Sequence, residues 1–134
     1  MKKSIVLIYN MPPRGAPRPR VFKDKAGKSR GYNEQWYTDY KRDIRMVTKI
    51  DEPLQGAIKM AVMFQFKKPK SWSKKKRASA FWHTQKPDTD NLLKTIKDAL
   101  NKLAYWDDSQ ICDLDAVKVW GDCDKIVVEL EEIQ

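Results

Sequence analysis

KPDTDNLLKTIKDALNKLAYWDDSQICDLD, residues 86–115, is the stretch whose reading decides the fold. Leu92, Leu93, Ile96, Ala99, Leu100 and Leu103 fall on one stripe at helical spacing, with Lys94, Lys97, Asp98 and Lys102 outside it. The spacing predicts an amphipathic helix from about residue 88 to residue 103. Asp88 and Asp90 stand where that helix begins, Lys94 follows one turn after Asp90, and Asp107 and Asp108 lie just past its end.

Downstream, QICDLDAVKVW (110–120) and KIVVELEEI (125–133) read as strands, and GDCD between them reads as a hairpin turn. Upstream, SIVLIY (4–9) is β-branched and aromatic, which predicts a buried strand. Residues 12–31 mix prolines, glycines and cations and read as an extended loop. Asn33 can cap a helix running to Ile50, with Trp36, Tyr40, Ile44 and Val47 on its apolar face. GAIKMAVMFQF (56–66) alternates Ile58, Met60, Val62 and Phe64 on one side, as a strand does. The order β-α-β-α-β-β predicts a single small α+β domain over residues 1–134. Its economical form is a four-stranded mixed sheet with both helices on one face. Two basic loops, about 11–31 and 67–87, interrupt it.

Charge is divided along the chain. Residues 1–87 hold 22 Lys/Arg against 6 Asp/Glu, and residues 88–134 hold 5 against 12, so a +16 segment precedes a −7 segment. A surface built only for solubility would mix the signs. The split predicts a basic binding surface beside a local acidic site. The single histidine, His83, and the spacing of Cys112 and Cys123 disfavour zinc sites and histidine-based triads. Two unpaired thiols and no long apolar run give the expectation of a cytoplasmic chain off the membrane.

The carboxylates admit two readings. Asp88 suits a helix N-cap, Asp90 suits the positive end of the helix dipole, and Asp107 and Asp108 suit a turn. In the other reading, Asp88, Asp90 and a third carboxylate hold a hard cation such as Mg2+, and Lys94 offsets phosphate charge. Arg14, Arg18 and Arg20, spaced by prolines, and the run Lys74, Lys75, Lys76 and Arg77 are either solvated cations or contacts to a phosphate backbone. Lys86 adds a cation beside Asp88. His83 could assist proton transfer, but it is expected at the surface or against DNA, and Trp36, Tyr37, Trp106 and Trp120 in a core or a dimer interface.

KPDTDNLLKTIKDALN followed by YWDDSQI strongly resembles the RusA-type Holliday junction resolvases. PPRGAPRPRV is similar to that family's arginine-rich loop, and PKSWSKKKR to a basic segment of its phage members. The resemblance implies a homodimeric, Mg2+-dependent endonuclease that nicks four-way DNA junctions. It places the catalytic groups on Asp88, Asp90, Lys94 and Asp108, and the metal on the three aspartates. Asn91 and Asp107 fall in the same motifs as supporting positions. A 16-residue helix is about 24 Å long, which would carry Asp108 away from Asp88. Either the helix is shorter, or Asp108 reaches the site from a partner subunit, which is the favoured expectation. A nuclease for flaps or forks, and a non-catalytic nucleic-acid-binding module, remain the alternatives.

Overall fold

The computed structural model describes residues 2–17, 20–27, 29–32 and 34–133. Its elements are β1 (Ser4–Tyr9), β2 (Arg20–Lys23), β3 (Ser29–Tyr32), α1 (Gln35–Val47), β4 (Ile58–Lys67), α2 (Lys74–Ser79), α3 (Thr89–Leu100), a 3-10 turn (Asp108–Gln110), β5 (Ile111–Gly121) and β6 (Lys125–Glu132). The main sheet is four-stranded and mixed, in the order β1-β6-β4-β5. β6 runs antiparallel to both β1 and β4, and β4 runs parallel to β5.

The core lies on one face of this sheet. Leu7 and Tyr9 of β1, Met60, Val62 and Phe64 of β4, and Ile126, Val128 and Leu130 of β6 alternate toward it. Tyr40 and Ile44 of α1 and Leu92, Ile96, Ala99 and Leu100 of α3 close it from the other side. Two helices on one face are what the period of 3.6 in the helices and 2 in the strands demands.

Several local expectations are corrected. β5 and β6 are not a hairpin, because β4 lies between them. The residues after Gly121 pass over the end of β4 and are pinned there. Lys68 N–H donates to the Gly121 carbonyl (3.0 Å), Gln65 Nε2 to the Cys123 carbonyl (2.9 Å) and Lys67 N–H to Asp124 Oδ1 (2.9 Å). Crossing one intervening strand means spanning about 9.6 Å, which so short a link can do. β6 carries apolar side chains on both faces (Ile126, Val128 and Leu130 within, Val127 without), so a central position suits it better than an edge.

The first basic loop contains a hairpin, β2–β3. Its turn is set by Asp24, whose Oδ1 accepts from Ala26 N–H (2.9 Å) and whose carbonyl accepts from Gly27 N–H (2.9 Å). Gly27 has φ +79°, a conformation glycine adopts without strain. The second basic loop contains α2, capped by the Ser73 hydroxyl, which accepts from Lys76 N–H (3.2 Å). α1 begins after Glu34, and the expected cap Asn33 lies outside the described residues. Its buried residues are Tyr37, Tyr40 and Ile44, whereas Val47 is exposed at the helix end.

α3 has 12 residues instead of 16. Asn101 ends it in an extended conformation, and Lys102 adopts φ +67°, turning the chain back. Tyr105 then packs fully buried beneath the helix and donates its hydroxyl to the Lys97 carbonyl (2.8 Å).

Candidate active site

That early turn decides the site. Because the chain doubles back at Lys102, Asp108 returns alongside α3 within the same subunit. Asp90, Leu93, Lys94, Lys97, Asp98, Asp108 and Leu114 line one open cleft of about 310 Å3 between α3 and the start of β5. Asp90, Lys94, Lys97 and Asp98 share the exposed side of α3, since positions three and four apart lie on one face of a helix. Asp90 and Asp108 thus line one cleft within a single chain, contrary to the expectation that Asp108 would come from a second subunit.

Asp88 is the N-cap residue of α3, but its carboxylate makes no capping hydrogen bond. It lies outside the main cleft, in a neighbouring hollow with Gly15, Ala16, Lys86, Pro87 and Asn91. Asp107 and Asp108 also part company. Asp107 caps the 3-10 turn: its Oδ2 accepts from Ser109 N–H (3.0 Å), and Gln110 Oε1 accepts from Asp107 N–H (2.9 Å) in return. Its bonds to Ser109 hold the Asp107 carboxyl below its ordinary pKa. Asp108 takes no part in that cap and faces the cleft. Burial, then the charges of Asp108, Asp98 and Asp107, raise the Tyr105 phenol above its ordinary pKa.

The arginine-rich loop docks on the start of α3. Ala16 N–H donates to the Asn91 carbonyl (3.1 Å), and Tyr40 donates to the Pro12 carbonyl (2.6 Å). A Cβ on Gly15 would stand 3.0 Å from Pro87 Cβ and 3.3 Å from Asn91 Cβ, so glycine allows the close approach. Arg14 lies over the Trp36 ring at 4.0 Å, a cation–π contact that leaves the edge of the guanidinium available. Arg18 lies outside the described residues, and Arg20 opens β2.

The second basic segment is held by aromatics. Lys76 sits 4.4 Å from the Trp72 ring, which packs edge-on against Trp120. Lys68 donates to the Arg77 carbonyl (2.5 Å). Lys74, Lys75 and Lys76 remain exposed. His83, expected at the surface, is only 6% exposed and stacks on Phe66 with centroids 3.9 Å apart. The stretch 81–83 adds itself to the β5 edge: Trp120 N–H donates to the Phe81 carbonyl (2.7 Å) and His83 N–H to that of Lys118 (3.1 Å). This alternation drives the imidazole inward. Of the aromatics expected in a core or interface, Tyr37 is buried, Trp36 and Trp120 are half-buried, and Trp106 is exposed.

The sequence pattern assigns no role to Lys118, Lys97 or Asp98. Lys118 reaches from β5 to donate to the carbonyls of Gln85 (2.5 Å) and Pro87 (2.6 Å), immediately before Asp88. Nothing local marks it, because its partners are 31 and 33 residues away. Lys97 and Asp98 carry a signal, since they continue the polar side of α3 from Asp90 and Lys94.

Among the described residues, no three His, Cys, Asp or Glu side chains converge as a ready-made ion cage. Mg2+ does not require one: it takes one or two carboxylates and completes its shell with waters and phosphate oxygens. The hard oxygen donors Asp90 and Asp108 in one open cleft fit that demand.

A small α+β fold carries carboxylates and a lysine in one cleft, with basic segments elsewhere in the chain. Comparison with known proteins makes the class specific. The model of the endodeoxyribonuclease RusA family matches residues 10–131, and the chain belongs to that family of metal-dependent nucleases. It is 31% identical over 133 residues to the uncharacterized protein YqaN of Bacillus subtilis (strain 168), covering 94% of each chain. It is 38% identical over 79 residues to the crossover junction endodeoxyribonuclease rusA of Lactococcus phage r1t, covering 57% of this chain and 55% of that one. No helix among the described residues is long and apolar enough to cross a membrane.

Proposed function

We propose that this protein is a Mg2+-dependent, structure-selective endonuclease that resolves four-way DNA junctions by paired phosphodiester nicks, working as a homodimer. The observation that carries the reading is the shared cleft of Asp90, Lys94 and Asp108 in a RusA-family chain. The phage relative is named for action on crossover junctions.

Asp90 and Asp108 would hold the ion, with Asp88 approaching from the start of α3. Bound there, Mg2+ supplies Lewis acidity toward a phosphodiester. Lys94, one turn into α3, offsets the charge that develops on the phosphate oxygens. The docked loop with Arg14, α2 with Lys74, Lys75, Lys76 and Arg77, and Lys86 beside Asp88 contact the backbone and set the strand across the cleft. Phosphate contacts are blind to base sequence, which suits recognition of a branched shape.

The test is cleavage of a labelled four-way junction in Mg2+, beside a linear duplex and a flap. Wild type should make symmetric nicks in the junction. Asp90→Asn should abolish them while junction binding is kept or strengthened, since a carboxylate repelling phosphate is gone. Equal cutting of the flap would replace the reading with a general branched-DNA nuclease. Tight binding with no Mg2+-dependent cutting would replace it with a binding module.

A further inference from the structure

Phe81 and Trp82 are large aromatic residues held at the surface, 57% and 62% exposed. They are adjacent in the chain and meet edge to face, with ring centroids 4.7 Å apart and planes at 84°. Neither is loose. Trp120 N–H donates to the Phe81 carbonyl (2.7 Å), Trp82 is bridged to Val119, and His83 N–H donates to the Lys118 carbonyl (3.1 Å). His83, next in the chain, packs against Phe66 and Trp120 with centroids 3.9 Å and 4.4 Å away. Backbone bonds and a buried neighbour thus fix the pair in place. More than half of each residue stays in water, so core packing does not account for two aromatics at these positions.

The surroundings decide what can cover the pair. α2 ends at Ser79, two residues before Phe81, and its Lys74, Lys75 and Lys76 are exposed. Lys86, on the other side, is exposed as well. From Lys67 to Pro87 the chain has no Asp or Glu. Aromatics set among cations match a partner that offers both a flat apolar surface and negative charge. A nucleotide is built that way, with a π-face on its base and a charge on its phosphate. Position favours DNA over an anionic membrane. Seven residues separate Phe81 from Asp88, a span of at most about 24 Å. That equals about seven steps of 3.4 Å along a DNA strand. Lys118 fixes the connection further, through the Gln85 and Pro87 carbonyls. A strand lying in the Asp90–Asp108 cleft therefore runs within reach of the pair.

We propose that Phe81 and Trp82 form a stacking platform for an unpaired nucleobase at the branch point of the DNA. The inference rests on the proposed action on branched DNA, and it adds the element that tells a branch from a duplex. Phosphate contacts from α2 and the arginine-rich loop do not make that distinction, because they act on any backbone. Stacking makes it, because it needs a base whose face is free. In a linear duplex neighbouring bases cover those faces, and where strands part they do not. The platform accepts any of the four bases, since each has a π-face.

The test is binding without metal, which keeps it independent of cleavage. Affinities of the full chain in EDTA are measured for a four-way junction, for the same junction with abasic nucleotides at the branch point, and for a linear duplex. Wild type should lose about tenfold in affinity when the branch-point bases are removed. Phe81→Ala with Trp82→Ala should lose about tenfold on the intact junction and less than about twofold on the duplex. Removing the bases should then cost that variant nothing further, because base and platform form one contact. Trp82→Phe should keep most of the affinity. Wild type indifferent to the abasic branch point would overturn the platform, whether or not the variants fold. A double variant that weakens junction and duplex alike would also overturn it. Phosphatidylserine vesicles that bind wild type and not the double variant, with junction binding indifferent to both changes, would replace base stacking with a membrane contact. Base-dependent junction binding with no cutting in Mg2+ would overturn the nuclease and leave the platform standing. Junction cutting with no base dependence would do the reverse.

Discussion

Asp107 and Asp108 are adjacent in the chain, and different forces act on them. Asp107 is bound into the 3-10 turn by a reciprocal cap with Gln110, whereas Asp108 is left to the cleft. Asp107→Ala should therefore cost about 1 kcal/mol of stability, the usual value of a missing cap. Asp108→Asn should leave the melting temperature near wild type and remove junction cleavage. Thermal melts and junction assays on the two variants check the division, and the reverse pattern would exchange the two roles. His83 offers a second test. Burial first, then the Lys118 charge, lower its pKa below the ordinary 6.5. The folded state thus binds this proton less readily than the unfolded chain. The contribution is intact above pH 6.5 and is lost as pH falls through the folded value. Melts at pH 7.5 and pH 5.5 should show a fall that His83→Phe reduces.

At the scale of elements, α2 and the 81–87 connection matter most. α2 has no buried residue of its own, so Trp72 and the Ser73 cap hold it in place and its lysines stay outward. Lys74→Ala with Lys75→Ala should weaken junction binding and flatten its salt dependence by about 0.9 in log–log slope for each phosphate that is no longer neutralised. An unchanged slope would mean that these cations are only solvated. Lys118 ties the connection to β5 through two carbonyls beside Asp88. Lys118→Met should raise the Mg2+ concentration needed for half-maximal cleavage while keeping the maximal rate measurable. An unchanged Mg2+ requirement would make the clamp dispensable for the site. α2 and β2–β3 escaped a reading based on charge and proline content. Their signals are single residues, Ser73 before the lysine run and Asp24 with Gly27 at the turn, and a strong cationic bias masks them.

At the scale of the whole molecule, one core joins three strands and two helices. Ile96 sits fully within it. Ile96→Ala should destabilise the protein by about 2–5 kcal/mol, through reduced burial and the cavity left behind, as a urea titration would show. The family motif, the apolar stripe of α3, the alternation of β4 and β6, and the mixed four-stranded sheet on one side of two helices were all legible in the sequence. They depend on local periodicity and on residue types whose chemistry is limited. Strand order was not legible: a short turn between two strands reads as a hairpin unless one knows that β4 ends where the link passes. The length of α3 was hidden for a related reason. Leu103 continues the stripe in sequence, yet the helix stops at Leu100 because Tyr105 buries beneath it, and only the packed core rewards that turn. The sequence by itself determined which residues fall in the family's motifs, Asp88, Asp90, Lys94 and Asp108 among them. The tertiary structure alone decided that Asp90 and Asp108 share a cleft within one chain, that His83 is buried, and that no helix among the described residues covers the second sheet face. Each of these depends on contacts between residues far apart in the chain, whose energies no local pattern records.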